Sequence, residues 1–437
     1  VAKSEPRRGS KGAKVFCFFF SKKKSSSARM SDDTQILRPA ATGLRADLAA
    51  FLLANTAPMF RLARAIWPIP HFGDTYLVTR YDTVREVFLN DAAFMVPYAD
   101  NLNLIMGGVP FFLGMGDTPE YRADTAAMRA VVLPTDLACL AKAAATQADA
   151  LLDAAHGSIE VVDFTRQVTF GVLCPYFGIT PPDRADGDLR VWATRLFEFQ
   201  FTYAGNDPDL LAAATRMAPK LRAHVDRLIA ARKADPGPDD VLSRSLARQS
   251  TGAPGYSDTA IRSALIGFLV GGLPQPPMVL PQALEQLLQR PGPLAAAAEA
   301  AADGDTASVA RYMFEALRFD PLAPALKRTA TAKSTISAGT WFEAIVPAGA
   351  TVLVGFASAM RDGTRIADPE TFNPDRPATD YMHFGYGLHR CFGEQINRAV
   401  LPAAFERLLR RGVRRARGTA GMLKRRGIFA ETLWIDF

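Results

Sequence analysis

A chain of 437 residues that is 49% hydrophobic and 22% charged is long enough to bury a large core and reads as an ordinary soluble globular protein, with two or three domains as the prior from length alone. The formal charge of +7 invites a nucleic-acid partner, but residues 1–29 hold nine of the basic residues against the single acid Glu5, and the remaining chain is close to neutral. The basic character belongs to a tail, which argues against a nucleic-acid partner for the body.

That tail, VAKSEPRRGSKGAKVFCFFFSKKKSSSAR, is rich in Ser, Gly and Lys and ends just before Met30. Its apolar run at 15–20 falls short of the ~20 residues of a membrane span and of the ~7–15 of a signal-peptide core. It is expected to be an unfolded extension ahead of a start at Met30, with a targeting or membrane-surface tail as the alternative. No later stretch reaches spanning length without charges or prolines, so no membrane span is expected. Cys17, Cys139, Cys174 and Cys391 fall at no metal-like spacing, and so few thiols in so long a chain suit a reducing cytoplasm.

After Met30 the chain reads mixed. A β-rich run at 76–79 precedes a helix that places Val84, Val87 and Phe88 on one face. From 121 to 234 the pattern is mostly helical, with breaks at Pro134, at Pro181 and Pro182, and at Asn206, Asp207 and Pro208. KADPGPDDVLSR (233–244) reads as a loop entering a short helix, and TGAPGYSD (251–258) as a second loop in which Ser257 or Asp258 caps the next helix. IRSALIGFLVGG (261–272) is apolar on nearly every face, as a helix in the middle of a protein must be. It runs into VGGLPQPPMVLP (270–281), whose four prolines lack the amide hydrogen a helix needs and predict a kink. Helix resumes with QALEQLLQRP. Beyond 295 come a helix through Arg318, a β-rich region at 329–354, a proline-rich irregular stretch at 368–377 and a last helix after Cys391. No repeat appears and no linker separates two cores, so residues 30–437 are expected to form one domain, mainly α with small peripheral β-sheets.

The chemistry concentrates in HFGYGLHRCFGEQINRAVLPAAFERLLRR (383–411). A loop punctuated by Gly385 and Gly387 delivers Cys391 to the start of a helix, with Gly393 in its first turn. Helix N-terminal amides lower a thiol's pKa and favour thiolate, and the glycines let a flat bulky group lie close to backbone. A thiolate presented in this way is a soft ligand for a metal or a haem iron. A lone cysteine at such a place is more often a small apolar residue; here the spacing decides otherwise.

Phe384, Gly387, Cys391 and Gly393 stand as F-x-x-G-x-x-x-C-x-G, with His389 two residues before the cysteine, and the pattern closely resembles the haem-binding signature of the cytochrome P450 family. The resemblance implies the cytochrome P450 fold and haem b as cofactor, with Cys391 as axial ligand of its iron. EALR (315–318) matches the family's E-x-x-R. Alone such a pair usually means a surface contact; in this order it implies that Glu315 and Arg318 are the buried pair that buttresses the haem loop. Arg328 stands where the family places an arginine on a haem propionate, a carboxylate that the two-pronged guanidinium suits. GDTPEYRADTAAMR (116–129) corresponds to the family's D-P-P-E-H-x-x-x-R with Tyr121 for the His and Thr125 for the Arg, which leaves Arg122 and Arg129 as candidate propionate contacts. MRDG (360–363), FNPDR (372–376), YLVTRYDTVREVF, PGPDDVLSR and IVPAG extend the resemblance over nearly everything after Met30, toward the soluble bacterial branch.

In the family the long central helix crosses the haem face opposite the thiolate and carries A/G-G-x-D/E-T, whose acid and alcohol manage water and protons. Gly271 and Gly272 fit the start of this pattern; Pro274 then takes the acid position and Gln275 the alcohol position. The substitution has two readings. Either Gln275, an amide that both donates and accepts, holds the ordered water of a monooxygenase fed with O2 and electrons, or the relay has been given up because a peroxide or fatty-acid hydroperoxide imports its own O–O bond, as in a peroxygenase or hydroperoxide isomerase. A non-catalytic haem-binding or sensor protein is the third reading.

The aromatic group Trp192, Phe197, Phe199, Phe201 and Tyr203 and the loop IMGGVPFFLG (105–114) fall where the family builds its pocket roof, and imply an apolar small-molecule substrate, fatty acyl or terpenoid-like. Core packing is the plainer account of such clusters. The sequence from 1 to 437 carries no flavin or iron-sulfur segment, so a monooxygenase of this kind calls for a separate ferredoxin and ferredoxin reductase. Arg390 and the basic run RRGVRRAR (410–417) offer a face for an acidic ferredoxin, against the plainer account of a solvated basic surface.

Overall fold

The computed structural model describes residues 34–39 and 43–437. The expected extension at 1–29, the start at Met30 and Cys17 lie outside the described residues.

Helices build most of the molecule around one large apolar cluster, and a smaller cluster lies beneath a five-stranded sheet. In that sheet the order is His71–Phe72, Thr75–Val78, Thr351–Val354, Leu326–Ala330, Phe94–Met95. Thr75–Val78 and Thr351–Val354 pair in parallel, Thr75 opposite Thr351, while the other pairings are antiparallel. Covered on both faces, Thr75–Val78 is buried along its whole length, which is why it reads as a β-branched and aromatic run without polar alternation. The helix Tyr81–Leu89 comes next, and Val84, Val87 and Phe88 face the sheet, all fully buried as the pattern required.

The helices fall between the predicted breaks: Pro119–Arg129, Leu137–Ala154, Val161–Phe177, Leu189–Thr202 and Pro208–Ala234. Short polar side chains start them. Thr118 accepts from the Tyr121 amide, Asp207 from Leu210 and Asp240 from Ser243. At the two-way choice before the central helix it is Ser257 whose side chain caps, accepting from Ala260. The helix Glu394–Leu409 beyond the cysteine packs along Leu137–Ala154 and Thr306–Phe319.

The stretch Asp258–Leu288 is long and apolar enough to cross a membrane by length and composition, but 67% of its most apolar window is buried within the protein. That is the profile of a core helix. It consists of two helices, Asp258–Gly272 and Pro276–Leu288, joined by residues 273–275. Leu273 (φ −81°, ψ −29°) and Gln275 (φ −78°, ψ −43°) keep right-handed helical dihedrals. The expected kink is thus a gap in hydrogen bonding and not a reversal of direction, because proline's fixed φ is itself helical.

Four short C-terminal strands went unread in the sequence: Arg414–Arg415, Lys424–Arg426, Phe429–Thr432 and Trp434–Asp436. Two to four residues each, they carry too few positions to show a period. Trp434–Asp436 pairs with both Ser158–Glu160 and Arg414–Arg415, tying the chain's end to the helical body.

Candidate active site

A cavity of about 550 Å³ opens between the central helix and the loop that carries Cys391, within the size range of small-molecule sites. Phe111, Phe112, Phe197, Phe201, Phe268 and Phe392 give it apolar walls, and Cys391 lies on its lining.

The loop is shaped by close approach. The Cys391 amide donates to the Phe384 carbonyl at 2.8 Å, closing the turn. Gly385 and Gly387 both sit at φ 72°, a conformation that L side chains avoid. A Cβ on Gly387 would stand 2.4 Å from the Phe88 carbonyl oxygen, so the loop can press on the helix Tyr81–Leu89 only with glycine there. Gly387→Ala is expected to cost about 1–3 kcal/mol through backbone strain and to loosen haem; equal thermal stability and haem content in the variant would refute this account of the glycine. Gly393 ends the loop as the residue before Glu394–Leu409 and lines the cavity beside Cys391 and Phe384.

The thiol corrects one expectation. Burial pushes Cys391 up to about 11, outweighing the backbone amides of Gly393 and Glu394, which lower it, while the Glu394 carboxylate raises it further. Helix-start amides alone do not make this thiol a thiolate. Desolvation of the charged form wins, so the thiolate needs a cation as counter-charge, and a ferric iron is one.

Two further side chains on the cavity wall each keep one nitrogen without a hydrogen-bond partner. Arg328 is 2% exposed; its Nη1 donates to the Lys327 carbonyl at 3.0 Å and its Nε has no hydrogen-bond partner, and burial holds its pKa below the usual arginine range. His389 has an unpartnered Nδ1, and its Nε2 lies 3.9 Å from Asp91. Burial and the Arg328 charge push His389 down to about 4, so it is neutral at pH 7. A single cavity-lining thiol with two buried nitrogens short of a partner fits haem b, whose iron the thiolate would hold and whose two carboxylates would meet the nitrogens.

Glu315 and Arg318 are placed differently from a cofactor contact. Both are fully buried, Arg318 Nη2 and Nε donate to the two Glu315 oxygens at 2.7 and 2.9 Å, and neither lines the cavity. Around them Arg318 donates to the carbonyls of Met360, Pro369 and Thr371, and Glu315 accepts from the Asn373 amide, Arg376 and Tyr381. The pair thus pins the irregular 360–381 segment that leads into the cysteine loop. FNPDR contributes to the same network through Arg376.

Arg122 is a clear correction: its guanidinium is 70% exposed and forks onto Asp117 at 2.7–2.8 Å, because the helix Pro119–Arg129 turns that face to solvent. Arg129 does not line the cavity either; it lies over the Phe392 ring, 4.9 Å from its centre. Tyr121 supplies what the sequence reading missed. Standing where the family has a histidine, it donates through its hydroxyl to the Leu388 carbonyl at 2.6 Å and meets the His389 ring edge-on at 5.8 Å. The signal was the bulk of the residue, long enough to reach the loop's own backbone.

On the central helix Gly271, Gly272, Gln275 and Pro276 line the cavity, whereas Pro274 faces away, toward Leu37, Phe170 and Phe429. Pro274 is therefore no part of the lining, since neighbouring helical positions point about 100° apart. No hydrogen bond to the Gln275 side chain is found among the described residues. Of the expected roof, Phe197, Phe201 and the loop's Phe111, Phe112 and Leu113 line the cavity. Trp192 packs instead near His224, and Phe199 near Tyr203. Leu62, Ile66, Trp67 and Phe72, each partly exposed, rim its mouth. In the basic run Arg411 pairs with Asp153 at 2.6 Å and Arg415 with Glu285 at 2.7 Å, and Arg390 is engaged by Glu394. Much of that charge is spent within the protein.

A sequence model described as Cytochrome P450 matches residues 310–411. The erythromycin C-12 hydroxylase of Saccharopolyspora erythraea is 28% identical over 345 residues, covering 76% of this chain and 81% of that protein. A shorter stretch of 81 residues is 43% identical to a bifunctional dioxygenase (DOX)-epoxy alcohol synthase (EAS) of Pyricularia oryzae, 18% of this chain and 7% of that protein. In three dimensions the ligand-free structure of cytochrome P450 TbtJ1 is similar at a TM-score of 0.73 and 23% identity, covering 88% of this chain and 97% of that one.

Proposed function

The chain belongs to the cytochrome P450 family, an oxidoreductase family with haem b as cofactor, and from that premise we propose a haem-thiolate monooxygenase that oxidises an apolar small molecule, with Cys391 as the residue that would ligate the iron. The observation that carries this reading is a single thiol, Cys391, on an aromatic-walled cavity whose wall also presents two buried nitrogens without a hydrogen-bond partner, Arg328 Nε and His389 Nδ1. Bound haem supplies oxidising chemistry at its iron. The protein's own residues do the rest: Cys391 would hold the iron, Arg328 and His389 would hold the carboxylate edge, and Glu315 with Arg318 keeps the loop in place. Phe111, Phe112, Phe197, Phe201 and Phe268 exclude water and orient an apolar guest such as a fatty acyl chain or terpenoid. Electrons come from a separate donor of the ferredoxin type.

A second reading, hydroperoxide rearrangement or peroxygenase chemistry, is favoured by one observation in particular. The position of the family's acid is a proline turned away from the cavity and that of its alcohol is an amide, so no side chain there delivers a proton at neutral pH. The 81-residue likeness to a protein named an epoxy alcohol synthase points the same way. Ferric holoprotein mixed with a fatty-acid hydroperoxide, with no electron donor present, separates the two. Under the first reading the hydroperoxide is left unconverted or merely bleaches haem, while a reductant with O2 yields a hydroxylated product. Conversion to an isomer or epoxy alcohol without reductant would replace the first reading by the second.

A further inference from the structure

Resting on the reading of this cavity as the oxidation site, we propose that the proline joint of the central helix is a hydrogen-bond acceptor site for a guest carrying an O–H group, a hydroxyl or a hydroperoxide. In an α-helix the carbonyl of residue i accepts from the N–H of residue i+4. Pro274, Pro276 and Pro277 have no N–H, so the carbonyls of Val270, Gly272 and Leu273 lose their donors. Leu273 still reaches the Leu269 carbonyl at 3.4 Å, but the Gln275 amide makes no backbone hydrogen bond to Gly271 among the described residues. Five successive carbonyls, 270 to 274, are left without helical donors, since Met278 and Val279 both return to the Gln275 carbonyl, at 2.9 and 3.1 Å.

Their position matters as much as their number. A helical carbonyl lies beneath the residues three and four places on. Beneath Gln275 and Pro276, both on the cavity lining, are the carbonyls of Gly271 and Gly272, two residues that line the cavity themselves. Beyond the helix's own neighbouring residues, no atom stands within 4 Å of where either glycine would carry a Cβ, so the helix surface is open at these two positions. The Pro276 ring pushes the Gly272 carbonyl outward. The Gln275 amide adds one more acceptor and a donor beside apolar wall residues, Phe111, Phe268 and Val279 among them. Unpaired acceptors in an apolar cavity select for a guest that brings a donor, and reject its isostere that brings none.

The test titrates ferric holoprotein with a long-chain secondary alcohol and with its methyl ether, which keeps the oxygen and loses the donor, and reads affinity from the haem absorbance. Wild type is expected to bind the alcohol about tenfold more tightly, the effect of one hydrogen bond. Pro276→Ala returns an N–H to the Gly272 carbonyl and is expected to cut the preference for alcohol over ether to about twofold, whereas Gln275→Leu keeps most of it. Equal binding of alcohol and ether by the wild type overturns the proposal, whether or not the variants fold. So does a preference that survives Pro276→Ala and vanishes in Gln275→Leu, which would assign the site to the side chain. No absorbance response to either probe overturns the oxidation-site reading itself, and this proposal with it. Given the preference, turnover of a fatty-acid hydroperoxide by the same protein assigns the O–H to a hydroperoxide, and its absence assigns it to a hydroxylated guest; both support the acceptor site.

Discussion

Cys391→Ala is expected to abolish the thiolate-type spectrum of the reduced carbon monoxide complex and to bring oxidation down to the uncatalysed background. The expectation is this large because the described thiols offer no substitute. Cys174 is buried in the helix Val161–Phe177 with its thiol pushed up to about 12, Cys139 is exposed, and neither lines the cavity. The substitution itself removes only a small side chain at a cavity wall, which costs at most about 1 kcal/mol of packing. The protein should therefore still fold, and a spectral loss reports on ligation and not on collapse. A thiolate spectrum that survived in the variant would place the ligand elsewhere.

Glu315→Ala is expected to destabilise the protein by about 3–5 kcal/mol, because it leaves the Arg318 guanidinium fully buried without its counter-charge. The loss extends beyond the pair. The Asn373 amide, Arg376 and Tyr381 lose the same acceptor, so the 360–381 segment comes adrift and the cysteine loop with it. A urea unfolding curve and the haem-to-protein ratio check both parts. Removing Arg318 as well should cost less than the sum of the two single changes, since the groups share one network. Wild-type stability and haem content in Glu315→Ala would show that the buried pair does not hold the loop.

Much of the site was legible because its requirements are local. Cys391, Gly387, Gly393 and Phe384 lie within ten residues, where a turn and a helix start impose glycines at set places, and the structure brings these four together. The helix Tyr81–Leu89 was legible for a related reason: a period in apolar residues survives whatever the helix packs on. Arg122 and Pro274 fared otherwise. Arg122 sits on a helix and Pro274 in the joint between two, each next to residues that face the fold, and only the rotation of these elements against their neighbours decides that Arg122 meets solvent and Pro274 the far side.

The sequence by itself determined the mainly helical architecture, the caps, the glycine loop around Cys391 and the gap in the central helix's hydrogen bonds, since all of these arise from the stereochemistry of adjacent residues. Tertiary structure alone decided the rest. That Cys391 is pushed up to about 11 in spite of its helix-start amides, that Arg328 Nε and His389 Nδ1 have no hydrogen-bond partner, and that Tyr121 reaches Leu388 are consequences of burial and of partners far apart in the chain. Desolvation and long-range pairing depend on where surfaces meet, and no window of sequence contains that distance.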